Sequence, residues 1–452
     1  MASWNVTNLS EIEFNRIEAE FYQNKFIQAK KIGGNKSLKK YQVNVIHPAE
    51  VKRVYTENGS LQIVLAQNVR DNVMDWSTKR LMSQSLFSFI GRNKLYEGDV
   101  LVTRSGANYG QTSVIAMEPK LSNLFACADV LVLKPGEIGG PLLSTFLNTK
   151  TGKSLMVRGV YGAGQPHVAP SYISNIPFPE YLLQYRSEIE ELINRSRTLQ
   201  YRAQTLYKEA TDLLEQELGL DEISFEKPKS YKANFSEIIN NYRNDADFYQ
   251  MKYRQLDTHL KTKSTVSLAS ICRFLKGYEV GTSAYTQHGL VFIRVSNLTK
   301  DGFKFGDSDK YISETTYSKL KIYNPKIGDI LLTKDGTIGI CYVVDENISG
   351  ITSSGIMNLE LTDKKIPKEY LALVINSKIC QMQAERECSG ALITHWKPEQ
   401  IRKLRIPILK QDVMQSISDL VILAKNSRKQ ANQLLVDAKA RVEQLIKVAA
   451  IK

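Results

Sequence analysis

The chain states nearly the same thing twice. Residues 16–26 read Arg-Ile-Glu-Ala-Glu-Phe-Tyr-Gln-Asn-Lys-Phe, and residues 243–253 read Arg-Asn-Asp-Ala-Asp-Phe-Tyr-Gln-Met-Lys-Tyr. Six of the eleven positions are identical, and three more exchange Glu for Asp or Phe for Tyr. The echo continues in order. Gly98-Asp99-Val100-Leu101-Val102-Thr103-Arg104 returns as Gly328-Asp329-Ile330-Leu331-Leu332-Thr333-Lys334. Gly162-Ala163 with His167 and Pro170 returns as Gly390-Ala391 with His395 and Pro398, and Ile176-Pro177 returns as Ile406-Pro407. The shift stays between 227 and 230 residues, far above the ~20–50 residues of a solenoid repeat. The duplicated unit is therefore a whole domain with its trailing segment. Such a chain builds a pseudo-two-fold molecule, able to read two things at once.

Composition narrows the partners. With 452 residues the chain is too long for one ordinary core. A hydrophobic content of 42% and a charged content of 24% suit a globular protein. No apolar run approaches the ~20 residues that span a bilayer. Residues 1–8 lack a basic start and an apolar stretch, so no secretory signal is expected. Five cysteines without CxxC spacing argue against a disulfide framework and against zinc. A cytoplasmic home is expected, with no membrane partner. The net charge of +13 favours a polyanion, above all nucleic acid.

Each half has the same internal order. An acidic-aromatic helix is expected first, over 11–31 and 235–257. A strand-rich body follows, with strands at 61–65, 291–295, 99–104 and 329–334, and helices over 142–157 and 367–384. Each body closes at its Ile-Pro step. Long stretches without Gly or Pro come next. One carries Ile189, Leu192, Ser196, Leu199, Ala203, Leu206, Ala210 and Leu213 at alternating spacings of three and four. The other runs in the same rhythm from Val413 through Ile417, Leu420, Ala424, Ser427, Ala431, Leu434, Ala438, Arg441 and Leu445 to Val448. Both are heptad seams, and the small residues in them permit close helix approach. Pseudo-two-fold symmetry predicts an antiparallel pair, each helix ~50–60 Å long at 1.5 Å per residue. Two readers held by such a pair require a split DNA site, and the helices become a ruler.

Catalytic signatures are missing. There is no GxGxxG, no GxxxxGK[ST], and no Asn-Pro-Pro-[Tyr/Phe] of amino-methylating enzymes; Asn324-Pro325 is followed by Lys326. Asp99 with Glu118-Pro119-Lys120 imitates a nuclease site, but its repeat partner Asp329 has no such company. Asp99 and Asp329 are expected to end a turn before a buried strand, and the acidic-aromatic motif to pack in the core. No catalytic or metal-ligating residue is assigned. Binding residues are sought in loops. Arg104, Ser105, Asn108, Tyr109 and Gln111 combine a guanidinium with amides, which match guanine and adenine edges respectively. The matching loop offers Lys334, Asp335 and Thr337. The Gly-Ala…His loops offer Gln165 and His167, and Thr394 and His395. Arg294, at the end of its strand, completes the DNA-binding candidates.

This ordered set resembles the specificity subunit of type I restriction-modification systems. The landmarks are the Arg-x-[Glu/Asp]-Ala-[Glu/Asp]-Phe-Tyr opening, the Gly-Asp-[Val/Ile]-Leu-[Val/Leu]-Thr strand, the Gly-Ala…His motif and the Ile-Pro step before a long helix, in both halves. One departure is that the first half lacks a counterpart of Phe274-Leu275-Lys276-Gly277-Tyr278. The resemblance implies an α+β chain of two tandem α/β target-recognition domains, 1–179 and 227–409. Between and after them come spacer helices, 180–226 and 410–452, forming an antiparallel coiled coil. It implies a non-catalytic subunit that reads a bipartite site in double-stranded DNA. Two methyltransferase subunits would dock on it, and through them restriction/translocase subunits. No cofactor is expected on this chain; S-adenosylmethionine, ATP and Mg belong to the partners. Two alternatives remain. One is the specificity subunit of a bipartite-cutting system with fused methylase and nuclease. The other is a stand-alone DNA-binding regulator dimerising through its coiled coil, against which stands the fact that one chain already supplies both helices.

Overall fold

The computed structural model describes all residues except 1–11, 14–15, 57–58, 77–79, 84–90, 107–108, 117–122, 163–165, 226–227, 229, 307, 389–393 and 452. The chain divides into two units. The first comprises Met1–Gln200 with Lys429–Lys452, the second Tyr201–Arg428. Helix and strand are mixed throughout both.

The duplication in sequence is a duplication in topology. The first unit has an antiparallel four-stranded sheet in the order Asn44–Ile46, Val130–Lys134, Val100–Thr103, Thr112–Val114. The second unit repeats it as Cys272–Lys276, Ile356–Leu361, Ile330–Thr333, Cys341–Val343. Each unit also has a second sheet, of three strands in the first and four in the second, in which one pair of strands is parallel: Leu61–Val64 beside Leu124–Ala126, and Leu290–Ile293 beside Gly350–Thr352. The Gly-Asp strands are fully buried because both faces are covered, which explains their unbroken apolar runs.

The Asp of each Gly-Asp pair shapes the turn that feeds its strand. Asp99 Oδ2 accepts from Tyr96 N at 2.8 Å, and Asp329 Oδ2 from Lys326 N at 2.9 Å. The preceding glycines sit at φ +83° and +86°, a region that disfavours a Cβ. Lys134 Nζ lies 2.7 Å from Asp99 Oδ2, so that carboxylate is occupied by structure. Glu118 and Lys120, its imagined nuclease partners, lie outside the described residues.

The acidic-aromatic opening is structural, but it is not one helix. In each unit a 3-10 turn, Ala19–Tyr22 or Ala246–Tyr249, leads into an α-helix, Asn24–Gly33 or Met251–Lys261. The break falls at Gln23 and Gln250, both with ψ near 140°. The repeated residues explain the shape. Tyr22 Oη donates to Arg16 O at 2.8 Å, and Tyr249 Oη to Arg243 O at 2.6 Å. Arg16 pairs with Glu18 and Arg243 with Asp245. Inside, Arg158 Nε donates to Phe21 O at 3.1 Å, and Arg386 Nε to Phe248 O at 3.2 Å. Each guanidinium lies over the ring of the same phenylalanine, at 3.9 and 4.4 Å.

The helices expected over 142–157 and 367–384 are each two helices: Gly140–Leu147 and Lys150–Arg158, Lys368–Asn376 and Lys378–Glu387. An asparagine at each joint reaches back to the sheet. Asn148 Nδ2 donates to Thr112 O at 2.7 Å, and Asn376 bonds both N and O of Cys341. Thr149 then caps the second helix by accepting from Gly152 N.

The two long helices are Arg186–Leu218 and Gln411–Ile451. Within the first unit they run in opposite directions: Glu188 pairs with Arg441, and Ser196 Oγ donates to Ala431 O at 2.8 Å. Here Ile189 and Ile193 share a core with Ala438, Val442 and Ile446. In the second unit Ala210, Leu214 and Leu218 share a core with Met414, Ile417 and Val421. All seven small residues of the expected seam are buried: Ser196, Ala203, Ala210, Ala424, Ser427, Ala431 and Ala438. The larger positions shift. Leu192, Leu213 and Leu434 are half-buried and Val448 is exposed, while Ile193, Leu214, Val421 and Val442 are buried. A strict heptad stripe is too narrow for helices that also pack against the sheet domains, so the apolar face widens by one position.

Candidate nucleic-acid interface

The loops singled out from the sequence meet the Gly-Ala…His segments in both units. Ser105 bridges His167, and Asp335 bridges His395, each as a single antiparallel pair. The next residue locks the contact: Val168 N donates to Arg104 O at 3.2 Å, and Trp396 N to Lys334 O at 2.8 Å. On the other side the loop returns to its strand. Gly110 N donates to Thr103 O and Gly339 N to Thr333 O, at 2.8 and 2.9 Å. The Thr hydroxyls accept from Gln111 N and Ile340 N at 3.0 and 2.9 Å. Left-handed glycines turn the chain at Gly106 and Gly336, with φ +85° and +67°. One backbone device thus presents two different sets of side chains.

In the first unit Arg104, Ser105, Tyr109, Gln111 and His167 come together; Asn108 and Gln165 lie outside the described residues. Ser105 Oγ donates to Asp129 Oδ1 at 2.8 Å, and Arg53 lies 3.0 Å from Asp129 Oδ2. Burial pushes the Asp129 carboxyl up, but the hydrogen bonds from Ser105 and Arg53 and the charges of Arg53 and Arg104 outweigh it and hold the group low. His47, bonded to Ala128 O at 3.1 Å, is lowered by burial and by the charge of Arg104. Arg104 Nε and His167 Nδ1 are buried without a hydrogen-bond partner among the described residues. Arg70 reaches Gln111 Oε1 at 3.4 Å. Asp129, Arg53 and His47 were not among the sequence candidates, because no repeated motif surrounds them.

In the second unit Lys334, Asp335, Thr337, Thr394 and His395 converge. Lys334 is 7% exposed and lies 2.6 Å from Asp335 Oδ2. His395 Nδ1 lies 2.8 Å from Asp335 Oδ1. Asp335 is held below the usual carboxylate range: burial opposes this, and the bonds from Lys334 and His395 prevail. Thr337 is exposed, and Thr394 accepts from Gly336 N through its carbonyl at 2.8 Å. Arg294 stands beside this group. A Cβ built on Gly355 would lie 2.8 Å from Val295 Cγ2 and 3.5 Å from Asp335 Cβ, so the three segments abut. Arg294 donates to Ser308 O at 2.7 Å and keeps a buried Nε without a hydrogen-bond partner among the described residues.

The departure noted between the halves has a simple form. The first unit does have the edge strand, Asn44–Ile46, but it continues into His47-Pro48 where the second continues into Gly277. A Cβ at Gly277 would meet Ser353 O at 2.2 Å. Among the described residues no group of His, Cys, Asp and Glu could hold a metal ion, and no helix is long and apolar enough to cross a membrane.

Comparison with known families decides the second unit. Residues 261–420 match the type I restriction modification DNA specificity domain. The match lies wholly within the second unit and covers about a third of the chain. The matched family is the one that the repeated landmarks of the sequence resemble. No curated protein matches the chain. Among solved structures, similarity extends to the type I restriction-modification S subunit from M. genitalium (12% identity, 91% of this chain and 94% of that one, TM-score 0.44). It extends also to the HsdS subunit from Thermoanaerobacter tengcongensis (14%, 90% and 96%, TM-score 0.26). The type IIG restriction endonuclease BpuSI is matched over 46% of this chain and 35% of its own, at 10% identity and a TM-score of 0.30. The specificity domain itself rests on the match over 261–420.

Proposed function

We propose that the chain is the sequence-reading subunit of a type I restriction-modification complex, with one specificity domain in each unit and a split DNA site as its target. The observation that carries this is the match over 261–420, extended to the first unit by the internal repeat and by the same sheet order and loop-to-His pairing. The loop side chains differ between the units, as readers of different half-sites should. Positive net charge suits phosphate contacts that position the reader, while the loops specify bases. Methyltransferase subunits would dock on the chain and hold S-adenosylmethionine, and motor-nuclease subunits would bring ATP and Mg. The complex would work in the cytoplasm. In this reading the two long helices pair as a coiled coil and their heptads set the spacer between half-sites.

The test is co-expression with the partner methyltransferase and mapping of methylated bases across the host DNA. Adenine methylation at one split motif, absent without this chain, is expected. Methylation indifferent to the chain would refute the reading. Adding a heptad within 185–218 is expected to lengthen the spacer; an unchanged spacer would remove the ruler.

A further inference from the structure

We infer that Asp335 is a positioning residue that aims the imidazole of His395 at a base edge in the half-site read by the second unit, and that Asp335 and Lys334 themselves do not touch DNA. This rests on the DNA-reading function proposed above and names the residue that does the reading.

The argument begins with the carboxylate. Both of its oxygens are committed: Oδ2 to Lys334 Nζ at 2.6 Å and Oδ1 to His395 Nδ1 at 2.8 Å. An ionised carboxylate only accepts, so Nδ1 carries the proton and donates it to Asp335. The ring is thereby fixed in tautomer and orientation, and Nε2 is the atom left to present. The His395 side chain is 57% exposed, whereas the side chains of Asp335 and Lys334 are 24% and 9% exposed. The acidic and the ammonium group are drawn inward and neutralise each other. The imidazole is left outward, on a backbone locked by Trp396 N to Lys334 O. A bare carboxylate facing DNA would repel phosphates; this one is screened by the lysine beneath it and the ring above it.

The first unit shows why the feature belongs to one half-site. Ser105 stands where Asp335 does, and its carboxylate comes instead from Asp129, which is engaged by Ser105 and Arg53. His167 sits in the equivalent bridge with its Nδ1 buried. Among the described residues no acid bonds that Nδ1, so the same scaffold presents a different chemistry.

The experiment uses the full chain co-expressed with its methyltransferase, with methylated bases mapped for wild type, Asp335→Ala, Asp335→Asn, His395→Ala and His395→Gln. His395→Ala and Asp335→Ala are expected to relax one base position in one half-site, raising methylation of sites mismatched there about tenfold. The other half-site should stay as it was. Asp335→Asn, which can still accept from Nδ1 through its amide oxygen, should keep more discrimination than Asp335→Ala, an ordering that a merely structural role would not produce. His395→Gln, which keeps a polar group near the Nε2 position, should shift the preferred base rather than only relax it. An unchanged motif in both alanine variants would overturn the inference. So would equal relaxation of both half-sites, or loss of all methylation by chains that remain folded by circular dichroism. If the wild-type chain directs no split-site methylation, the broader function fails, and the inference with it.

Discussion

Replacing Arg158 with Ala tests whether the mirrored arginines are the anchors of each unit. Arg158 is 4% exposed. Its two terminal nitrogens reach Glu13 at 3.2 and 3.4 Å, its Nε donates to Phe21 O at 3.1 Å, and it covers the Phe21 ring at 3.9 Å. Breaking a buried ion pair by removing one partner costs about 3–5 kcal/mol. Glu13 is 26% exposed and keeps Lys30, so its charge is not stranded and the low end, about 3 kcal/mol, applies. Arg386 is the control. It is 20% exposed, its partner Asp257 keeps Arg405, and its ring contact is longer at 4.4 Å, so Arg386→Ala should cost about 1–2 kcal/mol. Calorimetry of the full chain should show the first unit's transition falling by roughly 6–12 °C for Arg158→Ala, and the second unit's by roughly 2–8 °C for Arg386→Ala. The methylated motif should be unchanged in both at permissive temperature, because neither side chain belongs to the loops proposed to read DNA. A loss from Arg386→Ala equal to or larger than that from Arg158→Ala would refute the reasoning, as would a loss below about 1 kcal/mol for Arg158→Ala.

Exchanging residues 1–179 for the first domain of another specificity chain should alter one half-site only, read by methylation mapping; changes on both sides would sink the modular reading. Ala438 is fully buried against the first unit's core, so Ala438→Leu should destabilise by about 1–3 kcal/mol in urea titration through overpacking, while Ala438→Ser should be milder. The carboxyls of Glu13, Asp129 and Asp335 are all held low, so each contributes stability that is complete above the ordinary carboxylate range, near pH 4, and is lost as pH falls through the depressed value. Acid unfolding should therefore set in below about pH 4, and Asp335→Asn should flatten that dependence.

How legible was this in the sequence? The duplication was, because several echoed residues make the same bond twice. Arg16 and Arg243, Tyr22 and Tyr249, Asp99 and Asp329 all make equivalent bonds. The small seam residues were legible because close helix approach demands them. Helix breaks were not: Asn148 and Asn376 look like ordinary helical positions until the strand carbonyls they bond are placed beside them. The candidate loops were located by their glycines. The contribution of Asp129 was hidden, because it arrives from the turn before another strand with no repeated residues around it. Lys334 illustrates the limit of residue type as a guide. A lysine in a loop reads as a phosphate contact, yet this one is buried under its own neighbour.

The division of the chain into units has a consequence for its synthesis. The second unit is one continuous stretch, 201–428, but the core of the first includes Ala438, Val442 and Ile446 from beyond it. Emerging from the ribosome at ~5–20 residues per second, the first domain must wait roughly ten to fifty seconds for the segment that completes it. The core of the second unit is completed late as well, by Met414, Ile417 and Val421 of the same helix. Both cores therefore close on one helix, Gln411–Ile451, and until it arrives Ile189 and Ile193 lack the apolar partners they have in the folded unit.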